Sequence, residues 1–178
     1  MDMVNICLSF NMKKIILGIF SILLACTTNL QAQDKGFTGG VTTRLSGYDS
    51  EFKFMNLSLD IGYYIVDRLS ISMHVEPAIS LFNVDDTKTY SFKNAFGSGL
   101  NYEVLTFSGG ALDIRGSFGS SIKSSDWKYT YYDAGIYCNL GQRECKPTFG
   151  LGVRYFDSRN DHYYNYCRVF FSVGFKFN

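Results

Sequence analysis

The chain has little proline, two residues in 178, and little charge, at 19%. It also lacks an apolar run of the ~20 residues that a bilayer-crossing helix needs; the longest, after Lys13 and Lys14, spans about ten mainly apolar residues. No segment sustains the 3.6-residue period of an amphipathic helix. Charge of one sign is not in excess: beyond residue 32 there are fifteen Lys and Arg against fifteen Asp and Glu, which argues against nucleic acid as a partner. Cysteine is scarce and odd in number over the same stretch, at Cys138, Cys145 and Cys167, so a fully paired disulfide framework is excluded. Cys138 and Cys145 could bridge across a turn, or all three could be free thiols.

Hydrophobic residues, at 46%, are enough to offset ordering entropy by burial, so the chain is not a disordered one. Its length suits one domain. Aromatics are abundant: thirteen Tyr and sixteen Phe, against the two prolines, favour a pleated, half-exposed surface.

Residues 1–32 read as an upstream extension and a secretory signal peptide. "MKKIILGIFSILLACTTNLQAQ", from Met12, has a basic start, an apolar centre and a small residue at Ala32 for cleavage. A rival reading takes "LLAC", ending at Cys26, as a lipidation site. Residues 33–178 form the remaining domain. There, alternation of period two recurs: Met55, Leu57, Leu59, Ile61 and Tyr63 oppose Asn56, Ser58, Asp60 and Gly62. Eight strands are expected, at about 37–46, 54–65, 69–82, 94–105, 109–121, 129–140, 147–157 and 166–177. Most have the length a tilted strand needs to cross a bilayer. The connections alternate between short ("VDR", "TFS", "GQRECK") and long ("GYDSEFK", "NVDDTKTYSFK", "KSSDWK", "SRNDHYYNY"), an asymmetry of transmembrane barrels with an even strand count. Pro77 cannot donate to a ladder, so a bulge is expected there.

The polar face is dominated by Ser, Gly, Thr and Asn rather than the Lys and Glu of a water-facing exterior, and small residues suit the inside of a narrow barrel. Its charges are Arg44, Asp60, Glu76, Glu103, Asp113, Arg115, Asp133, Arg154, Arg168 and Lys176, five of each sign, with His74 among them. Enclosed in a lumen, such charges must pair to offset desolvation. On the apolar face, Phe37, Tyr63, Tyr102, Phe149, Phe175 and Phe177 fall near the short-turn end, and Phe96, Phe118, Tyr132 and Tyr155 near the long-loop end. Two aromatic belts of this kind are expected at headgroup level. The fold class expected is all-β: an eight-stranded antiparallel up-and-down transmembrane β-barrel after a cleaved signal peptide.

Together with the signal ending "NLQAQ" and the closing "VFFSVGFKF", these eight segments resemble the small outer-membrane β-barrel family of Gram-negative bacteria, of the OmpX and OmpA transmembrane-domain type. The resemblance implies a protein of the outer membrane, a monomer in contact with lipid and lipopolysaccharide. It also implies that the barrel assembly machinery reads Phe171, Val173, Phe175 and Phe177 as a C-terminal signature, although the last residue is Asn178 rather than an aromatic.

Three functions are weighed on this frame. The favoured one is a plugged, charge-paired barrel with a structural, adhesive or surface-contact role. The second is a narrow porin-like channel. The third is a lipid-modifying enzyme using Ser72, His74 and Glu76; but residues two apart on a strand stand ~6.6 Å apart, and no nucleophile-elbow motif is present, so no catalytic residue is assigned. No cofactor is expected, and no His and Cys cluster has metal-ligand spacing; Asp85 and Asp86 read as a solvated loop. The glycine pairs of "GSG" (97–99) and "GLG" (150–152) open no helix, so they read as lumen residues making room for an arginine. Trp127, His162, Tyr163, Tyr164 and Tyr166 read either as exposed loop aromatics suited to contact with sugars, host proteins or lipopolysaccharide or as an extension of the upper aromatic belt.

Overall fold

The computed structural model describes residues 36–46, 52–84, 87–122, 127–141, 144–159 and 164–177, with the side chains of 84 and 87–89 excepted. The signal segment, Asp85, Asp86, His162, Tyr163 and Asn178 lie outside them. Eight strands follow in order: β1 Phe37–Ser46, β2 Phe52–Val66, β3 Leu69–Val84, β4 Thr87–Phe107, β5 Gly110–Ile122, β6 Tyr129–Leu140, β7 Cys145–Ser158 and β8 Tyr166–Phe177. Each pairs antiparallel with its neighbour in sequence, and β1 pairs with β8, so the sheet closes into a barrel. Among the described residues there is no helix.

Closure follows from the alternation, because a sheet with one polar and one apolar face can bury only one of them, and a barrel has no edge left to protect. The polar face is the buried one. Asn56, Ser58, Ser72, His74, Glu76, Asp133, Thr148, Arg154 and Ser172 are buried, whereas Leu57, Leu59, Ile61, Met73, Val75, Leu151 and Val173 are exposed. The residues of both expected aromatic belts lie on the outer face, with Phe37 the most exposed of them at 76%.

Two expectations need correction. "NVDDTKTYSFK" is not a long loop: β3 and β4 continue through it as a hairpin, paired up to Val84 and Thr87, because Thr, Tyr and Phe in alternation sustain a strand. Nor does Pro77 sit in a bulge. β2 and β3 keep one register on either side of it, from Asn56–Ala78 to Leu59–Val75, and the ladder omits only the pairs between that involve Glu76 and Pro77. A skipped rung satisfies a residue with no N–H at less distortion than an inserted one. The register shifts that do occur, at Tyr64/Val66 and Glu103/Leu105, lie at the short-turn rim, where bulges release a strand into a turn. There Gly141 takes φ +90°, a conformation that suits glycine, and its N–H donates to the Gly109 carbonyl at 2.7 Å. Cys138, Cys145 and Cys167 form no disulfide among the described residues.

Candidate functional site

The buried lumen side chains group in three layers along the barrel axis. The middle layer is ionic. Glu76 on β3 accepts from Arg154 of β7 through Nη1 at 2.8 Å and Nη2 at 3.1 Å, from Asn56 Nδ2 of β2 at 2.8 Å, and from Arg44 of β1. Arg154 also donates through Nε to Asp133 of β6 at 2.9 Å, and Asp133 accepts the Ser117 hydroxyl of β5 at 2.6 Å. All four charged groups are buried, two of each sign. A two-pronged arginine contact fixes direction as well as distance, which lets one guanidinium tie two carboxylates on opposite walls. His74 sits beside them: its Nε2 shares a 2.5 Å hydrogen bond with the Tyr131 hydroxyl, and it stands 3.8 Å from both Asp60 and Glu76. Ser72, weighed with His74 and Glu76 for a lipid-modifying activity, accepts from Asn101 at 3.5 Å.

Toward the short turns lies a second ionic group. Asp113 Oδ2 accepts from Lys176 at 3.0 Å and faces Arg115 Nη2 at 3.5 Å, and the same nitrogen donates to Asn139 Oδ1 at 2.9 Å. Arg115 also lies over the Tyr137 ring at 4.1 Å, as Arg154 lies over Tyr131 at 4.0 Å. Cation–π contact of this kind is worth most where water is excluded.

The third layer, at the long-loop end, is aromatic. Phe52, Phe54, Phe82, Trp127, Tyr129 and Phe156 are buried inside the barrel, and Tyr166 is packed against them. Trp127 is 0% exposed and meets Phe82 edge-on at 5.0 Å and Phe52 at 5.3 Å between ring centroids. The expectation that Trp127 and Tyr166 are exposed for surface contact is therefore corrected: they cap the lumen. Rings pointing inward near a barrel mouth have no lipid to meet, so they bury against each other. Tyr164, at 82% exposure, does stand clear of the surface.

Of the charges expected in the lumen, two lie away from these groups. Glu103 is at the short-turn rim, accepting from Thr106 at 2.6 Å. Arg168 is at the opposite end, donating to the Cys167 carbonyl at 3.1 Å and lying 5.4 Å from the Tyr166 ring. Lys93, buried on β4, escapes the sequence reading because that reading starts β4 one residue later. The inward aromatics escape it too, although their parity matches that of the lumen charges: Phe52 and Phe54 alternate in step with Asn56 and Ser58.

Gly97, Gly119, Gly150 and Gly152 make room for rings rather than directly for arginine, whereas Gly99 faces the Gly116 carbonyl and Ser117. A Cβ on Gly97 would lie 2.7 Å from the Tyr131 hydroxyl, and one on Gly119 2.5 Å from it. Gly150 leaves space for the Tyr137 ring, and Gly152 for Phe170. Those two tyrosines in turn carry the arginines. Gly119→Ala is expected to destabilise the barrel by about 1–3 kcal/mol through overpacking. Gly116→Ala, where a Cβ would meet nothing closer than 3.8 Å, is expected to stay within about 0.5 kcal/mol. Urea unfolding of both variants checks the contrast.

Fold and site together define a closed eight-stranded antiparallel β-barrel whose inward side chains are polar or aromatic and whose outer face is apolar. Comparison with protein-family models found none that matches the chain, and comparison with curated proteins found no relative.

Proposed function

We propose that the chain is an outer-membrane β-barrel of a Gram-negative bacterium, exported by its signal segment, with a sealed lumen and a structural or surface-contact role. The observation that carries this reading is the inversion of faces. Leu, Ile, Val, Met and Phe are exposed on all eight strands while arginines and carboxylates are buried, and a continuous apolar exterior is unfavourable in water by about 25 cal/mol per Å². Lipid removes that cost, and the aromatic belts belong at its two interfaces. Phe171, Val173, Phe175 and Phe177, all exposed on β8, are then both lipid contacts and the signature for the assembly machinery. The ionic and aromatic layers favour a plug over a channel, and Tyr164 is available for contact with lipopolysaccharide or another surface.

Cell fractionation with a heat-modifiability gel tests the location. A folded band in the outer-membrane fraction that shifts on boiling is expected, and a soluble periplasmic protein refutes the reading. Orientation has its own test, in a chain whose Cys138, Cys145 and Cys167 are changed to serine. A membrane-impermeant maleimide is expected to label Tyr164→Cys on intact cells, and Glu144→Cys only after the outer membrane is permeabilised. The reverse pattern would mean that the barrel is inserted upside down.

A further inference from the structure

On the outer face of β5, β6 and β7 the side chains stand in rows, because the three strands pair in one register. Phe118, Tyr132 and Tyr155 make a row of rings, each directly opposite the next. On the side of the short turns come Gly116, Ala134 and Val153, and then Ile114, Ile136 and Leu151, an apolar strip. On the side of the long loops come Ser120, Thr130 and Asp157. One row further, Lys128 stands opposite Arg159: the Arg159 N–H donates to the Lys128 carbonyl at 2.8 Å, which continues the ladder one rung past Tyr129 and Ser158.

Two cations directly opposed on neighbouring strands repel each other. Both are exposed, and among the described residues neither forms an ion pair with a carboxylate. Arg159 is nonetheless held in place. Its Nη2 donates to the Ser120 hydroxyl at 2.8 Å and to the Tyr129 carbonyl at 3.3 Å, neutral acceptors that fix the guanidinium without cancelling its charge. The cation pair lies four residues beyond the rings, ~13 Å along the strands and ~10 Å in height at the tilt of a barrel strand. With the rings at the interface, that is the level of lipid headgroups.

We propose that this face of β5, β6 and β7 binds a phosphorylated glycolipid of the outer leaflet, with its phosphate between Lys128 and Arg159. A phosphomonoester, with close to two negative charges at neutral pH, matches a pair of uncancelled cations. The rows beneath select a sugar over the glycerol of a phospholipid. Asp157 can accept from sugar hydroxyls, and Tyr132 and Tyr155 present an apolar ring and a hydroxyl each. The acyl chains run down the apolar strip, where Gly116 and Ala134 leave a shallow groove between Leu100 and Val153. The inference rests on the outer-membrane reading and assigns the surface that holds the lipid.

Native mass spectrometry of the folded protein released from detergent micelles, at constant ionic strength, tests the site. The probe is bis-phosphorylated lipid A, compared with the same lipid stripped of its phosphates and with phosphatidylglycerol. Retention of the phosphorylated lipid A is expected, and Lys128→Gln is expected to weaken it about tenfold, as loss of one charge-assisted hydrogen bond does. Lys128 is exposed, so this variant keeps the fold, which its shift on a heat-modifiability gel verifies. Equal retention by the parent and by a chain carrying Lys128→Gln and Arg159→Gln together overturns the site. Equal retention of the stripped lipid overturns the phosphate contact, and phosphatidylglycerol bound as tightly as lipid A overturns the glycolipid assignment. A chain found soluble in the periplasm overturns the membrane reading and this inference together, whereas a chain in the outer-membrane fraction that fails to discriminate overturns the site alone.

Discussion

Replacing Glu76 by alanine is expected to cost about 3–5 kcal/mol of stability, the largest single effect of any lumen charge. Its carboxylate receives hydrogen bonds from Arg44, Arg154 and Asn56. Removing it leaves two buried guanidiniums facing each other with one carboxylate fewer to balance them. Urea unfolding in micelles, followed by circular dichroism, reads the loss. The cause is separable from simple cavity formation. Glu76→Gln keeps the shape and the possibility of hydrogen bonds but removes the charge, so it is expected to be strongly destabilising too. Replacing Glu76 and Arg154 together by methionine is expected to recover much of the loss, since a paired set of buried charges is close to break-even against apolar residues of similar volume. If Glu76→Ala unfolds within about 0.5 kcal/mol of the parent, as a solvated surface site would, the lumen is hydrated at that level and the plug argument fails.

Trp127→Ala is expected to cost a similar amount, about 3–5 kcal/mol, for a different reason. The indole is the largest fully buried side chain and packs against Phe52, Phe82, Tyr129 and Phe156. A cavity of that size cannot close, because the surrounding rings are anchored on different strands. The same variant tests the second seal. With the cap opened but the ionic quartet intact, planar-bilayer recordings are expected to show no open channel. Steady conductance in Trp127→Ala would mean that the aromatic layer alone blocks the barrel. As the chain has one tryptophan, intrinsic fluorescence of the parent reports directly on this layer, and its emission is expected to be that of an indole shielded from water.

Much of this architecture is legible in the order of residues alone, because a strand's side chains point alternately to its two faces. That rule places Arg44, Glu76, Asp133 and Arg154 on a common side, and all four are buried together in the folded barrel. The rule says nothing of height along the barrel. Glu103 and Arg168 share the inward parity, yet they lie at opposite ends, at the turn rim and beside Tyr166. The hairpin of β3 and β4 shows another limit. "NVDDTKTYSFK" carries enough polar residues to read as a loop, and only pairing against a neighbour makes it strand.

The number of strands, their alternation and which residues share a face can be read from the order of residues, since period and parity are local properties of the chain. Which charges meet, and what closes the lumen, is settled by contacts between distant strands. Glu76 and Arg154 are 78 positions apart, and their contact depends on the stagger between neighbouring strands and on β8 closing against β1. Trp127 belongs to a connection whose polar neighbours suggest exposure. It is buried because closure leaves a mouth lined by inward-facing rings, and a ring with no lipid to meet is most stable against other rings.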